Sequence, residues 1–132
     1  MNLYPLQIVT PAGLYYDGQV QRLIIRTTEG DIGILARHTN LTAALLPGEV
    51  KLLTETGEEK KAFCTDGMLS IVNGTVRVVA GKFEWGEDID AEQAKKDWED
   101  SETALREVTP EHRWEVGSRT RAAEARYRAS QK

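Results

Sequence analysis

Met68-Leu69-Ser70-Ile71-Val72-Asn73-Gly74-Thr75-Val76-Arg77-Val78-Val79-Ala80-Gly81 is the stretch from which the fold can be read. Val76, Val78 and Ala80 alternate with Arg77 and Val79, the period of two that turns one side of a strand toward a core and the other toward water. Asn73-Gly74 separates two such runs. It is the strongest short hairpin signal, because a type I′ turn needs positive φ at both central residues.

Working outward, the same grammar recurs from Leu3 to about Trp85. LYPLQIV, QVQRLIIRT, DIGIL, LTAALL, EVKLLTE and EKKAFCT read as strands rich in β-branched residues, cut by turn residues. Asp66-Gly67 and Thr56-Gly57 are weaker copies of the hairpin signal. No helical period lies between the strands, so parallel crossovers are not available and an antiparallel sandwich or flattened barrel is expected over residues 1–86.

After Gly86 the period changes. Asp90 followed by Gln93 resembles a capping box, with Ile89 placed to staple against Ala94. Ala91, Ala94, Trp98, Ser101, Leu105 and Val108 then recur at three and four, the stripe of a helix. Thr109 can cap a second helix that opens on Pro110 and runs to about Ser130 along Trp114, Ser118, Ala122, Ala125 and Ala129. Two helices joined by so short a turn are antiparallel, which predicts a helical hairpin over residues 87–132.

Charge follows the same division. Residues 1–86 are nearly balanced. Residues 87–109 carry Glu87, Asp88, Asp90, Glu92, Asp97, Glu99, Asp100, Glu102 and Glu107 against Lys95, Lys96 and Arg106, a net of about −6. Residues 110–132 carry Arg113, Arg119, Arg121, Arg126, Arg128 and Lys132 against Glu111, Glu115 and Glu124, about +3. Acidic then basic suggests two segments that attract each other. The stripe of the second helix is mostly alanine, so its docking is expected to be reversible, and Gly117-Ser118 favours fraying there.

The composition is that of a soluble globular protein, with 40% hydrophobic and 29% charged residues. No apolar run approaches the roughly 20 residues of a membrane span, and MNLYPLQIVTPAG lacks a basic region followed by a long apolar stretch. Cys64 stands alone, which excludes an internal disulfide and fits a reducing compartment. There is no phosphate-binding G-x-x-x-x-G-K-[ST] loop, no G-x-S-x-G, no H-E-x-x-H and no C-x-x-C. His38, His112 and Cys64 fall in different segments and read as a loop histidine, a helix-terminus histidine and a core cysteine rather than metal ligands. Asp88 and Asp90 complement a helix N-terminus better than they form a catalytic pair. The basic helix lacks the aromatic interleaving of a nucleic-acid surface, and its alanine face would bury little in lipid. A protein partner is the more economical reading.

Ile8-Val9-Thr10-Pro11, Asp17-Gly18-Gln19-Val20, Glu29-Gly30-Asp31-Ile32-Gly33-Ile34-Leu35 with His38, Leu45-Leu46-Pro47-Gly48-Glu49-Val50, the Asn73-Gly74 turn and Asp88-Ile89-Asp90-Ala91 follow in an order and spacing that resembles the epsilon subunit of bacterial F-type rotary ATP synthases. The resemblance implies a sandwich of about ten strands followed by two helices, a non-catalytic rotor subunit without cofactors, and a peripheral place on the cytoplasmic face of the cell membrane. It implies that the first domain sits beside the gamma subunit and on the ring of c subunits, with Glu29, Asp31, Arg37 and His38 in the loop that meets them. Taken alone, His38 reads equally as a solvated loop residue. Ala36-Arg37 stands where the family usually has Pro-Gly. The resemblance further implies that the helical hairpin can extend toward the catalytic alpha/beta head, where Arg113, Arg119, Arg121, Arg126 and Arg128 would meet acidic segments and brake ATP hydrolysis. The competing expectation is a hairpin that stays docked. Some members bind ATP through I-D-x-x-R-A; here Gln93 replaces the arginine after Asp90, and a neutral amide offers no bidentate contact to phosphate, so ATP is not expected as a ligand. The rival from another class is a free-standing β-sandwich ligand-binding module with a helical tail, which would need aromatic platforms on the sheet. A small hydrolase would need a nucleophile and base at recognisable spacing.

Overall fold

Alternating apolar and polar side chains build nine strands and two helices in the computed structural model, which describes residues 2–131. The strands are β1 (Tyr4–Thr10), β2 (Gly13–Thr27), β3 (Gly30–Leu35), β4 (Leu41–Leu45), β5 (Gly48–Thr54), β6 (Glu59–Cys64), β7 (Gly67–Val72), β8 (Thr75–Ala80) and β9 (Phe83–Trp85). Helices α1 (Ala91–Glu107) and α2 (Arg113–Ser130) follow. Nine strands suffice because β2 does two jobs over its 15 residues. Its first half pairs with β1 and its second half with β3. A register shift between Val20 and Arg22, seen in the ladder with β5, marks the bend between the halves.

The hydrogen-bonded order is β1-β8-β7-β4-β2-β5-β6-β9, with β3 on β2 and β1 also on β2, so the sheet folds back on itself. One pairing is parallel, β1 with β8; the rest of the sandwich serves as its crossover. β8 alternates as expected, Val76, Val78 and Ala80 inward and Arg77 and Val79 outward. Twelve large side chains, Leu6, Ile25 and Leu69 among them, are less than 2% exposed. At about 1.5–3 kcal/mol each, they make the sandwich the stable part of the molecule. No residue of α1 or α2 belongs to that cluster.

Asn73 and Gly74 have φ of 49° and 83° between the paired residues Val72 and Thr75, the turn expected. Thr56-Gly57 likewise closes β5 onto β6. Asp66-Gly67 does not make a hairpin: β6 pairs with β5 and β9, and β7 with β4 and β8, so this dipeptide carries the chain from one sheet layer to the other. Gly67 is required there by crowding, since a Cβ would collide with the Val79 carbonyl oxygen. The Gly13–Tyr16 arm of β2 and the short β9 are strands beyond those expected, and aromatic side chains join them: Tyr15 lies 5.2 Å from Phe83 and Tyr16 lies 5.7 Å from Trp85.

In α1 the Asp90 side chain accepts from the Gln93 amide at 3.1 Å, and Ile89 and Ala94 share one apolar cluster, so cap and staple both form. The reciprocal half of the capping box does not, because the Gln93 side chain donates to Asp97 instead. Thr109 makes no side-chain cap; a 3-10 turn, Pro110–His112, intervenes before α2. The helices run antiparallel. Trp98 stacks on Tyr127 at 5.7 Å, the Thr120 hydroxyl lies 3.2 Å from the Ser101 carbonyl oxygen, and Gly117 faces Leu105. The stripe predicted for α2 holds at Ala122, Ala125 and Ala129 but fails at Trp114 and Ser118, which are exposed; Val116, Gly117 and Thr120 are buried in their place. The cause is that α2 has two neighbours, α1 along its whole length and the sandwich only beside its C-terminal half.

Candidate partner-binding surfaces

Glu29, Asp31, Arg37 and His38 do not form one loop. β3, whose second residue is Asp31, separates Glu29 from Arg37 and His38, a span of roughly 20 Å. At one end Glu29 occupies the β2–β3 turn, where its amide donates to Thr27 Oγ1 at 3.2 Å, and Asp31 pairs with Arg26 at 2.9 Å. Gly30 has positive φ at the β2–β3 turn, whereas Gly33 lies within β3 opposite Ile24. At the other end, Arg37 has φ of 66°, and His38 donates from Nδ1 to the Thr39 carbonyl at 2.8 Å. Asn40 then accepts from the Asn73 amide at 2.9 Å, so the Arg37–His38 loop and the Asn73-Gly74 turn form one tip of the sandwich. Leu35 and Val72 are exposed beside that tip.

The outer face of the sheet carries a second surface. Val9, Val79, Met68 and Ala44 are successive cross-strand partners on β1, β8, β7 and β4, and Val79 and Met68 are 45% and 44% exposed. A row of apolar side chains across four strands on a water-facing side is a candidate interaction face. Its signal was present in the sequence as Val79 at an outward position of an alternating strand.

The five arginines of α2 divide by environment. Arg113 and Arg119 are exposed; Arg121 lies over the Trp114 ring at 5.3 Å; Arg128 pairs with Glu124 at 2.6 Å within the helix. Arg126 alone reaches the sandwich, at Glu84. The acidic and basic helices therefore meet in a single ion pair among the described residues, Arg126 with Asp97 at 3.9 Å. Lys132, counted with the basic stretch, lies outside the described residues. Between α2 and β5 a groove of about 470 Å³ opens, lined by Ile24, Leu46 and Pro47 on the sandwich and by residues from Trp114 to Arg128 on α2. Cys64 is core, its thiol pushed up to about 12 by burial and, less, by Asp66.

Residues 3–86 match the family described as "ATP synthase, Delta/Epsilon chain, beta-sandwich domain". An ATP synthase epsilon chain of Clostridium novyi is 41% identical over 96 residues, covering 70% of this chain and 73% of that one. Another, of Clostridium acetobutylicum, is 39% identical over 105 residues, covering 80% and 79%. The chain belongs to the ATP synthase epsilon-chain family.

An epsilon chain is a non-catalytic subunit, and the relatives give the ligand-binding module no support. The epsilon fold itself recurs in solved assemblies. A chain of the Euglena gracilis mitochondrial ATP synthase, solved as OSCP/F1/c-ring, superposes with a TM-score of 0.85 at 21% identity, over 99% of this chain and 83% of that one. One from the Tetrahymena thermophila central stalk and c-ring gives 0.64 at 16%, over 96% of each chain. As an epsilon chain this one departs at two places already noted. Arg37 takes the left-handed backbone where the resemblance has glycine. Gln93 stands where some members carry arginine, its amide donating to Asp97 at 2.8 Å. Among the described residues no helix is long and apolar enough to cross a membrane.

Proposed function

We propose that the sandwich is the foot by which this subunit rides on the rotor of its ATP synthase, at the cytoplasmic face of the bacterial membrane. The apolar row Val9, Val79, Met68 and Ala44 suits a protein neighbour such as gamma, and the polar tip with Arg37 and His38 suits the loops of a c-ring. Glu29 and Asp31, at the far end of β3, then serve a different contact from Arg37 and His38. The hairpin, residues 87–132, is the regulatory part: extended, it presents Arg113, Arg119, Arg121, Arg126 and Arg128 to acidic segments of the alpha/beta head and slows ATP hydrolysis.

The observation that carries this reading is the division of the core. The sandwich closes without any helical side chain, while the hairpin rests on it through Phe63, Ile89, Ala94 and Ala129. Alanine-sized contacts stabilise far less than buried leucines, so docked and extended forms lie within a few kcal/mol, a gap that a partner can reverse. The test compares ATP hydrolysis by the complex assembled with the full chain and with a chain stopped after Glu87. The shorter chain should give several-fold faster hydrolysis with synthesis still coupled. Equal rates remove the brake, and normal coupling in a complex lacking the sandwich removes the foot.

A further inference from the structure

Glu84 lies on β9, Asp97 on α1 and Arg126 on α2, so one guanidinium ties three elements together. Arg126 donates from Nε to one Glu84 oxygen at 3.0 Å and from Nη2 to the other at 3.2 Å, while its Nη1 stands 3.9 Å from Asp97. Among the described residues this is the one ion pair whose partners are both less than a third exposed, Arg126 at 25% and Glu84 at 17%. Its fork geometry matches both carboxylate oxygens, the arrangement in which arginine bonds most strongly. The hydrogen bond from Arg126 accordingly holds Glu84 below the usual carboxylate range against the opposing effect of burial. Next to it, Gly86 meets the Ala129 carbonyl so closely that a Cβ would collide. Elsewhere the hairpin packs on Phe63 of the sandwich through the apolar cluster of Ile89, Ala94, Ala122, Ala125, Tyr127 and Ala129.

We propose that the Glu84–Arg126–Asp97 junction is a clasp that sets how often the hairpin leaves the sandwich, and that Arg126 is the one arginine of α2 withheld from a carboxylate-bearing partner until it does. Arg113, Arg119, Arg121 and Arg128 are exposed with the hairpin docked and need no release. The second half of the proposal rests on the braking role given above; the first half stands on the isolated chain alone.

The experiment is hydrogen exchange across residues 113–130 of the isolated full chain, for Glu84→Gln, Arg126→Gln, the double variant and Arg126→Lys. Exchange in a reversibly opening segment follows the open population. Losing a charged hydrogen bond should speed it about tenfold in each single glutamine variant. The double variant should exchange no more than about twofold faster than the faster single, because both changes remove the same interaction. Arg126→Lys should fall between, keeping charge without the fork. Residues 67–80 of the sandwich should not change. Unaltered exchange in α2, or single effects that multiply in the double variant, overturn the clasp. Glu84→Gln assembled with the catalytic head should also slow hydrolysis. Faster exchange with unchanged hydrolysis keeps the clasp and rejects the brake.

Discussion

Arg37 carries a backbone conformation that an L side chain adopts at a cost. At φ of 66° it occupies the left-handed region, where the penalty for a residue other than glycine is about 1–2 kcal/mol. Arg37→Gly should therefore raise stability by up to about 1 kcal/mol after glycine's extra unfolded-state entropy is subtracted, read as a higher urea midpoint at unchanged slope. A lower midpoint would mean that contacts of the arginine side chain outweigh the strain. The contrast with Asn73-Gly74 explains what was legible at this scale. Asparagine and glycine advertise positive φ by their own chemistry, so that turn could be placed from two letters. Arginine advertises nothing of the kind; the short connection between β3 and β4 imposes the conformation on it. The same holds for Glu84 and Arg126, 42 positions apart, whose meeting depends on where α2 lands and not on any local spacing.

At the scale of elements, the period of a helix tells which residues share a face but not how many neighbours cover it. Ala91, Ala94, Trp98, Ser101, Leu105 and Val108 are the covered stripe that their spacing predicts, because α1 packs with that one side and turns most of the rest to water. α2 lies against α1 and the sandwich at once, so the stripe drawn through Trp114 followed only one of two covered sides. Gly117 belongs to the other. Its low helix propensity suggests fraying, yet it is buried, and a Cβ there would lie 3.9 Å from Leu105 Cδ1 and 3.4 Å from Arg121 Nη1, ordinary contact. Gly117→Ala should add about 1 kcal/mol to helix stability without repacking. Slower hydrogen exchange across residues 113–121 would record it, and faster exchange would show that α1 cannot accommodate the methyl. β9, three residues long, is too short to show an alternation, and β2 begins at Gly13, before the strand expected from Gln19, because the turn-forming Asp17-Gly18 lies inside it.

For the molecule as a whole, the separation of the main core from both helices predicts that the sandwich keeps its fold without them. A chain stopped after Glu87 should unfold in one cooperative calorimetric transition. Its midpoint should fall by no more than about 10 °C, the shift that 1 or 2 kcal/mol of lost docking produces in a domain of this size. A broad, non-cooperative transition would show that the helices hold the sheet together. The two-part architecture was readable because the hydrophobic period itself changes after Gly86. The closure of the sheet was not, since it depends on the parallel pairing of Leu6 through Val9 with Val76 through Val79. That pairing also orders events on the ribosome. Gln7 and its neighbour Arg77 are 70 positions apart, about 4–14 s of elongation at bacterial rates of roughly 5–20 residues per second. For those seconds the nascent chain carries an unfinished edge, open to any stray strand. α2 lies still later in the chain than β8, so it emerges after that edge can be sealed and meets a finished surface.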